Sequence, residues 1–310
     1  MTAVEHLLRW GKRGGDPPPT LAEVATRAPR PDRKSGGSAT LPPGDEPVVS
    51  VVIPVFDGDP HLERALGSVF DQSHSRVEIV VVDGGSTDGT LAILERHDHR
   101  IHSWFSERDD GMYDAINKGI AACRGNLVKI LNADDELPEG SMSVAVNRIA
   151  ADERVLLRGN MEVIDSQSRR LTEWSARHHA SYLPAAFPVL HPSWYLPRSV
   201  YEEVGLYRPT HRIASDTDYF YRLLEAGIAI RHLDQPLIRF REGGMSSGYG
   251  GLLEGLVIHA RYIGRGRAAY ITARRGFEKV RANGLRKILG ERGYHALRST
   301  LGRAARGEIS

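Results

Sequence analysis

A single cysteine, Cys123, stands in the 310-residue chain. It excludes an internal disulfide framework and predicts a reducing compartment. No stretch approaches the ~18 consecutive apolar residues of a membrane span. The short apolar patch among His6, Arg9, Lys12 and Arg13 lacks the pattern of a signal peptide. A cytoplasmic protein, peripheral at most on the inner face of the plasma membrane, is therefore expected. Charge of one sign is also scarce: the net value is +2, and no nucleic-acid-binding module is recognisable, so no nucleic acid partner is expected. G-x-G-x-x-G, G-x-x-x-x-G-K-[ST] and H-E-x-x-H are all missing, which excludes the dinucleotide fingerprint, the P-loop and a zinc-protease helix.

What is there begins with a tail. Residues 1–46 are rich in Pro, Gly, Arg and Ser and short of apolar side chains, so they are predicted to stay flexible. Residues 48–56 form a β-branched run, the pattern of a strand covered on both faces, and Pro54 marks where its pairing stops. A helix over 61–71, a strand over 77–82, a helix to 97 and a strand over 102–105 follow. This alternation predicts an α/β fold with a right-handed, mostly parallel, doubly wound sheet. The turn after the second strand carries Asp83 and Asp88 where a pyrophosphate would want bare amides. Asp83 suits hydrogen bonding to a base or sugar edge, or the organisation of its own turn. Asp88 suits a helix N-cap.

The densest chemistry lies in residues 106–137. Asp114, Asn117 and Lys118 share one edge of a helix. A buried strand over 126–131 then delivers Asn132-Ala133-Asp134-Asp135 at its C-terminal tip, where ligands bind in open α/β sheets. Adjacent carboxylates there suit a divalent cation on a diphosphate, with Asp134 and Asp135 as ligands, or an N-cap pair ahead of Pro138. Another strand is predicted over 155–164, an irregular cleft-lining connection over 169–192, and a helix over 198–204. Asp216 opens a further helix, either as its cap with Ser215 or as a general base aimed into the cleft. Two closing strands, 228–233 and 237–241, lead into a basic, glycine-rich loop over 239–247 suited to an anionic leaving group. From 252 the chain is helical and basic. Leu256, Val257, Ile258, Tyr262, Ile263, Tyr270 and Ile271 give it an amphipathic pattern that could lie on anionic lipid.

Several of these runs resemble the family 2 glycosyltransferases, inverting nucleotide-sugar enzymes of GT-A fold, and in particular the bacterial polysaccharide and glycolipid type. The resemblance rests on Val52-Ile53-Pro54-Val55-Phe56, Ser68-Val69-Phe70-Asp71-Gln72, the run from Val82 to Thr90 and the run from Ser106 to Gly119, in that order. It implies a GT-A domain over 47–247, between the tail of 1–46 and a basic helical extension over 248–310. It implies a nucleotide and donor site made by Pro54, Phe56, Asp83, Ser86, Asp114, Asn117, Lys118, Asn132, Ala133 and Asp134. Asn132-Ala133-Asp134 stands in the place of the family's D-x-D motif, so Mg²⁺ or Mn²⁺ is implied at Asp134, with Asp135 beside it. Asp216 matches the family's base, with Ser215 in place of the usual Glu. His191, Trp194, Asp218, Gly243, Gly244 and Ser246 fall on the acceptor side or lid. The implied partners are a UDP-, GDP- or dTDP-sugar, a glycan, lipid-linked or small-molecule acceptor, and an anionic membrane surface. Two other classes stay open. A nucleotidyltransferase would need a glycine-rich, Arg- or Lys-bearing first turn, where Val55-Phe56-Asp57-Gly58 stands. A non-catalytic carbohydrate- or lipid-binding protein would fit the Asn132 departure.

Overall fold

The computed structural model describes residues 17–150, 153–175, 190–241 and 250–305, with side chains described throughout except at 291, 292 and 299–305. Its centre is β2 (Val49–Val55), every residue of which is buried. The alternating side chains of β2 feed two separate cores. Val52 joins one with Val80, Val82, Ile116 and Tyr207, and Val51 and Ile53 join the other with Val81, Leu62 and Leu66. A β-branched run without polar alternation is what such a doubly covered strand needs.

β2 pairs in parallel with β3 (Val77–Asp83) on one side and with β5 (Leu127–Ile130) on the other. β4 (Ser103–Ser106) extends the parallel set beyond β3. Between these strands run α2 (Asp59–Phe70), α3 (Thr90–Arg96) and α4 (Met112–Ala122). Pairing of β2 with β5 ends at Val52, whose carbonyl accepts from Leu131, while Val55 faces β3 by accepting from Gly84. Pro54 therefore turns its missing N–H toward the side where pairing has already stopped, which makes a proline tolerable in a central strand. The chain leaves β2 for β3 and β4 on one side and returns to β5 on the other. The gap between the tips of β2 and β5 is the topological switch point.

The second half adds mixed pairing. α5 (Ser141–Val146), β6 (Val155–Ile164), β7 (Arg170–Trp174), β8 (Tyr195–Pro197), α6 (Arg198–Val204), α7 (Ser215–Glu225) and β9 (Ala229–Arg241) complete the sheet and its cover. The order runs from β4 through β3, β2, β5, β8 and β6 to β7, with β9 on β6. Two expectations are corrected here. The two closing strands are one, β9, whose register on β6 shifts opposite Gly159 and Asn160. A Cβ at Gly159 would stand 2.6 Å from the Gln235 carbonyl, so glycine lets the bulged strand come close. And part of the segment read as irregular is regular, since 170–174 pairs with β6 as a hairpin.

The tail is also corrected, over 17–46. Thr20 and Glu23 form a capping box for α1 (Leu21–Ala25). β1 (Lys34–Gly36) then pairs antiparallel with β4 and closes that sheet edge. Arg27 bonds Asp114 at 2.9 Å, the Arg30 N–H donates to Glu107, and the Arg33 guanidinium lies 4.0 Å over the Phe105 ring. Composition gave no sign of this strap because it is held by backbone bonds to an open strand edge and by a few apolar anchors, Leu21 and Val24, on the core. At the other end, α8 (Gly250–Ile263) and α9 (Arg265–Ala305) pack together, with a kink in α9 at Gly290. Among the described residues no helix is long and apolar enough to cross a membrane.

Candidate active site

At the tip of β2 the chain turns through Asp57, whose φ of 47° is a left-handed conformation that aspartate tolerates better than most residues. Its N–H donates to Ser86 Oγ, and its carboxylate accepts from Thr87 N at 2.9 Å. These bonds lock the β2 turn to the β3 turn. A cavity of about 550 Å³ opens beside them, lined by Phe56, Gly84, Gly85, Ser86, Ser106 and Glu107, with Asp32 and Lys34 from the strap on its rim. Phe56 is 65% exposed, an aromatic face presented to solvent at a strand tip. A Cβ at Gly84 would stand 2.6 Å from an Asp109 carboxylate oxygen, so a larger residue here would displace that side chain. Of the expected nucleoside residues, Phe56 and Ser86 line this cavity. Pro54 and Asp83 lie beneath it. Asp83 is fully buried and accepts from Ser86 N, Ser86 Oγ and Ser106 Oγ, so its carboxylate organises the turn.

At the β5 tip the two adjacent acids divide. Asp135 is fully buried and accepts from the Arg241 N–H and from Asn132 Nδ2, both at 3.0 Å. Burial, and then the charge of Asp134, raises its pKa. Its two oxygens hold the turn to β9. Asp134 is half-buried with its pKa raised by burial, and His61 and Arg241 lie close enough for their charges to oppose that rise. Arg241 Nε also holds the Asp134 carbonyl. Arg239 and Arg241 are ion-paired to Glu136 at 2.9 and 2.8 Å. These two arginines therefore belong to strand and turn, not to a loop over a leaving group. Among the described residues, no group of three or more His, Cys, Asp or Glu side chains could hold a metal ion. The donor set fits an ion bound through one carboxylate with substrate oxygens completing its shell, a habit of Mg²⁺.

A second acidic pair opens α7 and divides in the same way. Asp218 is fully buried and bonded by Arg208 at 2.6 and 2.8 Å, Arg222 at 3.0 Å and Tyr262 Oη at 2.9 Å. This hub ties α7 to α8. Asp216 is half-buried, and burial pushes its pKa up to about 6. Its Oδ1 accepts from Thr217 N, and its own N–H donates to Tyr113 Oη. The Arg275 charge lies near enough to moderate the shift. Glu254 of α8 accepts from the N–H groups of Arg212, Ile213 and Ala214 at 3.0, 2.8 and 2.9 Å. It thus fixes the segment that presents Asp216. Glu254→Ala should cost about 1–3 kcal/mol by orphaning these donors, and Glu254→Gln, which keeps an acceptor oxygen, should cost less. Thermal denaturation of the two variants checks the difference.

Several other expected residues are bonded or packed within the fold. Both ends of the Asn117 amide bond the Tyr207 backbone, at 2.7 and 3.0 Å. His191 is buried, with its pKa pushed down to about 3 by burial and then by Lys129. It bonds Tyr207 Oη and packs edge-on against Trp194, which is buried as well. Asp114 and Lys118 ion-pair at 3.2 Å beside Arg27 and Glu107. They line a separate cavity of about 460 Å³ under the strap. Asn132 and Ala133 stay half-buried at the β5 turn. Gly243, Gly244 and Ser246, like His178, His179 and Tyr182 of the expected cleft-lining connection, lie outside the described residues. Sequence reasoning passed over Asp109, whose pKa is raised by burial. It also passed over Tyr113, Glu254 and Arg275. Asp109 alone had a readable signal: an acid at a strand tip just before Gly111, whose φ is 116°.

Comparison with known proteins bears on the fold and the family. The chain is 30% identical over 255 residues to the O-antigen biosynthesis protein RfbC of Myxococcus xanthus, covering 79% of this chain and 20% of that protein. It spans only about a fifth of that relative's length. S. aureus TarS 1-349 in complex with UDP-GlcNAc superposes with a TM-score of 0.52 at 17% identity, over 73% of this chain and 71% of that one. GalNAc-T7 with UDP, GalNAc and Mn²⁺ gives 0.54 at 16% identity, over 70% and 48%. These likenesses establish a glycosyltransferase GT-A fold. Residues 50–205 match the family described as Glycosyl transferase family 2. With half of its length inside that match, the chain belongs to glycosyl transferase family 2.

Proposed function

We propose that the chain transfers a sugar from a nucleoside-diphosphate sugar to an acceptor hydroxyl, with inversion at the anomeric carbon, by chemistry carried in residues 47–247. One observation carries this reading. In each of two acidic pairs, one carboxylate is locked by hydrogen bonds, while the other is half-buried with its pKa raised. Perturbed carboxylates set at strand tips and helix starts around a cleft mark acid–base and ion-binding chemistry.

In this reading the nucleoside occupies the cavity at Phe56, Gly84 and Ser86, its base against the exposed Phe56 ring. Asp134 holds a divalent ion, Mg²⁺ or Mn²⁺, together with the donor diphosphate. When bound, that ion supplies Lewis-acid stabilisation of the departing diphosphate. Asp216 accepts the proton of the acceptor hydroxyl, and the oxygen attacks the anomeric carbon from the face opposite the nucleotide. An α-linked donor then gives a β-linked product. A pKa near 6 suits the base, since it is ionised at neutral pH yet basic enough to take a proton. Glu254, Tyr113 and Thr217 hold the segment in place, so the orientation of the base is fixed before the acceptor arrives.

Thermal shift with UDP, GDP and dTDP, each with and without Mn²⁺, tests the donor half. A ligand that binds only the folded state raises its apparent stability by mass action. One nucleotide is expected to stabilise the wild type in a metal-dependent way, and Asp134→Ala should lose the metal dependence. If no nucleotide shifts the wild type, the transferase reading falls and a non-catalytic protein takes its place.

A further inference from the structure

The long helix α9 carries a face that nothing among the described residues covers. Tyr270, Phe277, Val280 and Ile288 are 61, 69, 60 and 79% exposed. Ala273 and Gly284 fall between them on the same side, and Gly284 has no atom within 4 Å of where a Cβ would stand. Steps of three, four and seven residues put these positions on one stripe of an α-helix about 27 Å long. Monomeric proteins seldom leave large apolar side chains aligned in this way without a partner. The amphipathic pattern read from the sequence overlaps this stripe only at Tyr270, since its Ile258, Ile263 and Ile271 are buried in the protein's own core.

Charge decides what the stripe faces. α9 contains eleven Arg and Lys against the acids Glu278 and Glu291, and Arg281 and Lys287 are exposed along the stripe's margins. A second copy would bring like charges together, whereas an anionic lipid surface would be attracted to the same margins. The opposite side of the helix turns inward. Ala268 and Ile271 are buried there, and Arg275, on the same side, stands near Asp216.

We infer that α9 seats the protein on an anionic lipid surface through Tyr270, Phe277, Val280 and Ile288. This seating stands apart from the transferase reading above.

Vesicle flotation of the full chain tests the seating, with phosphatidylglycerol-rich and pure phosphatidylcholine vesicles. The wild type should float with the anionic vesicles only. Phe277→Asp with Val280→Asp should weaken binding by roughly tenfold or more, the scale of losing a buried aromatic. Arg281→Glu with Lys287→Glu should weaken it and flatten its salt dependence. The nucleotide thermal shift, run on every variant, reports folding and donor binding separately. A wild type that shifts with nucleotide but does not float overturns the seating and leaves the transferase reading standing. Flotation without any nucleotide shift does the reverse. Stripe variants that float like the wild type overturn the seating. So does a wild-type dimer, seen by light scattering, that Phe277→Asp dissolves while no vesicle binds.

Discussion

Asp216→Asn should lower kcat/KM by about 10²–10⁴-fold, the usual contribution of a positioned general base, and should leave the protein at least as stable as the wild type. The two effects share one cause. Burial lifts the folded-state pKa of Asp216 to about 6, above the ordinary carboxylate value. Folding thus disfavours the charged form, and stability falls as pH rises from the unfolded-state value toward 6. At neutral pH the amide removes that penalty, a gain of about 1–2 kcal/mol once partial exposure is discounted. Arg275, Thr217 and Tyr113 act on the carboxylate from α9, α7 and α4, and Glu254 faces Tyr113 from α8. In the proposed mechanism, by contrast, activity needs the ionised form. The pH profile of the wild-type kcat/KM should rise through about pH 6 and then level. A merely structural carboxylate would give neither a stable inactive variant nor that acid limb. An Asp216→Asn protein that keeps its activity would remove Asp216 from the mechanism.

Asp218→Ala should do the opposite, two residues along the same helix. Its carboxylate is the counter-charge for Arg208 and Arg222 in a fully buried position. Removing it strands two guanidinium groups out of water and should cost about 3–5 kcal/mol, the scale of breaking a buried ion pair from one side. Burial alone would raise the Asp218 pKa, but Arg222 and Arg208 outweigh it and hold the carboxyl below its usual range. The stability it confers at neutral pH is therefore lost as pH falls through its lowered folded-state pKa. Chemical denaturation at neutral and acidic pH checks both points, since the difference between wild type and Asp218→Ala should shrink in acid. An unchanged midpoint at neutral pH would remove Asp218 from the core of the fold. With so large a loss, activity should fall mainly through loss of folded protein, and nucleotide binding per folded molecule should persist.

The sequence by itself determined the layered architecture. Buried strands such as β2 and β3 are apolar on both faces, and helices such as α2 and α7 repeat their apolar positions with helical spacing. Both patterns are local, so they survive in one dimension. It also pointed to where the proposed chemistry sits, because a parallel sheet sends its ligands to the carboxyl ends of its strands. What the sequence held back was which member of each acidic pair is free. Asp134 and Asp135 are alike in type and adjacent, as Asp216 and Asp218 nearly are. Their roles are set by Arg241, Arg208 and Tyr262, partners brought from distant parts of the chain. The strap was hidden for a related reason: a polar segment can be held by the open edge of a strand it has not yet met in sequence. His191 and Asn117 look reactive as residue types, yet their polar atoms are spent on Tyr207. A side chain's chemistry is intrinsic, but its availability depends on what tertiary packing sets against it, and only the folded chain decided that.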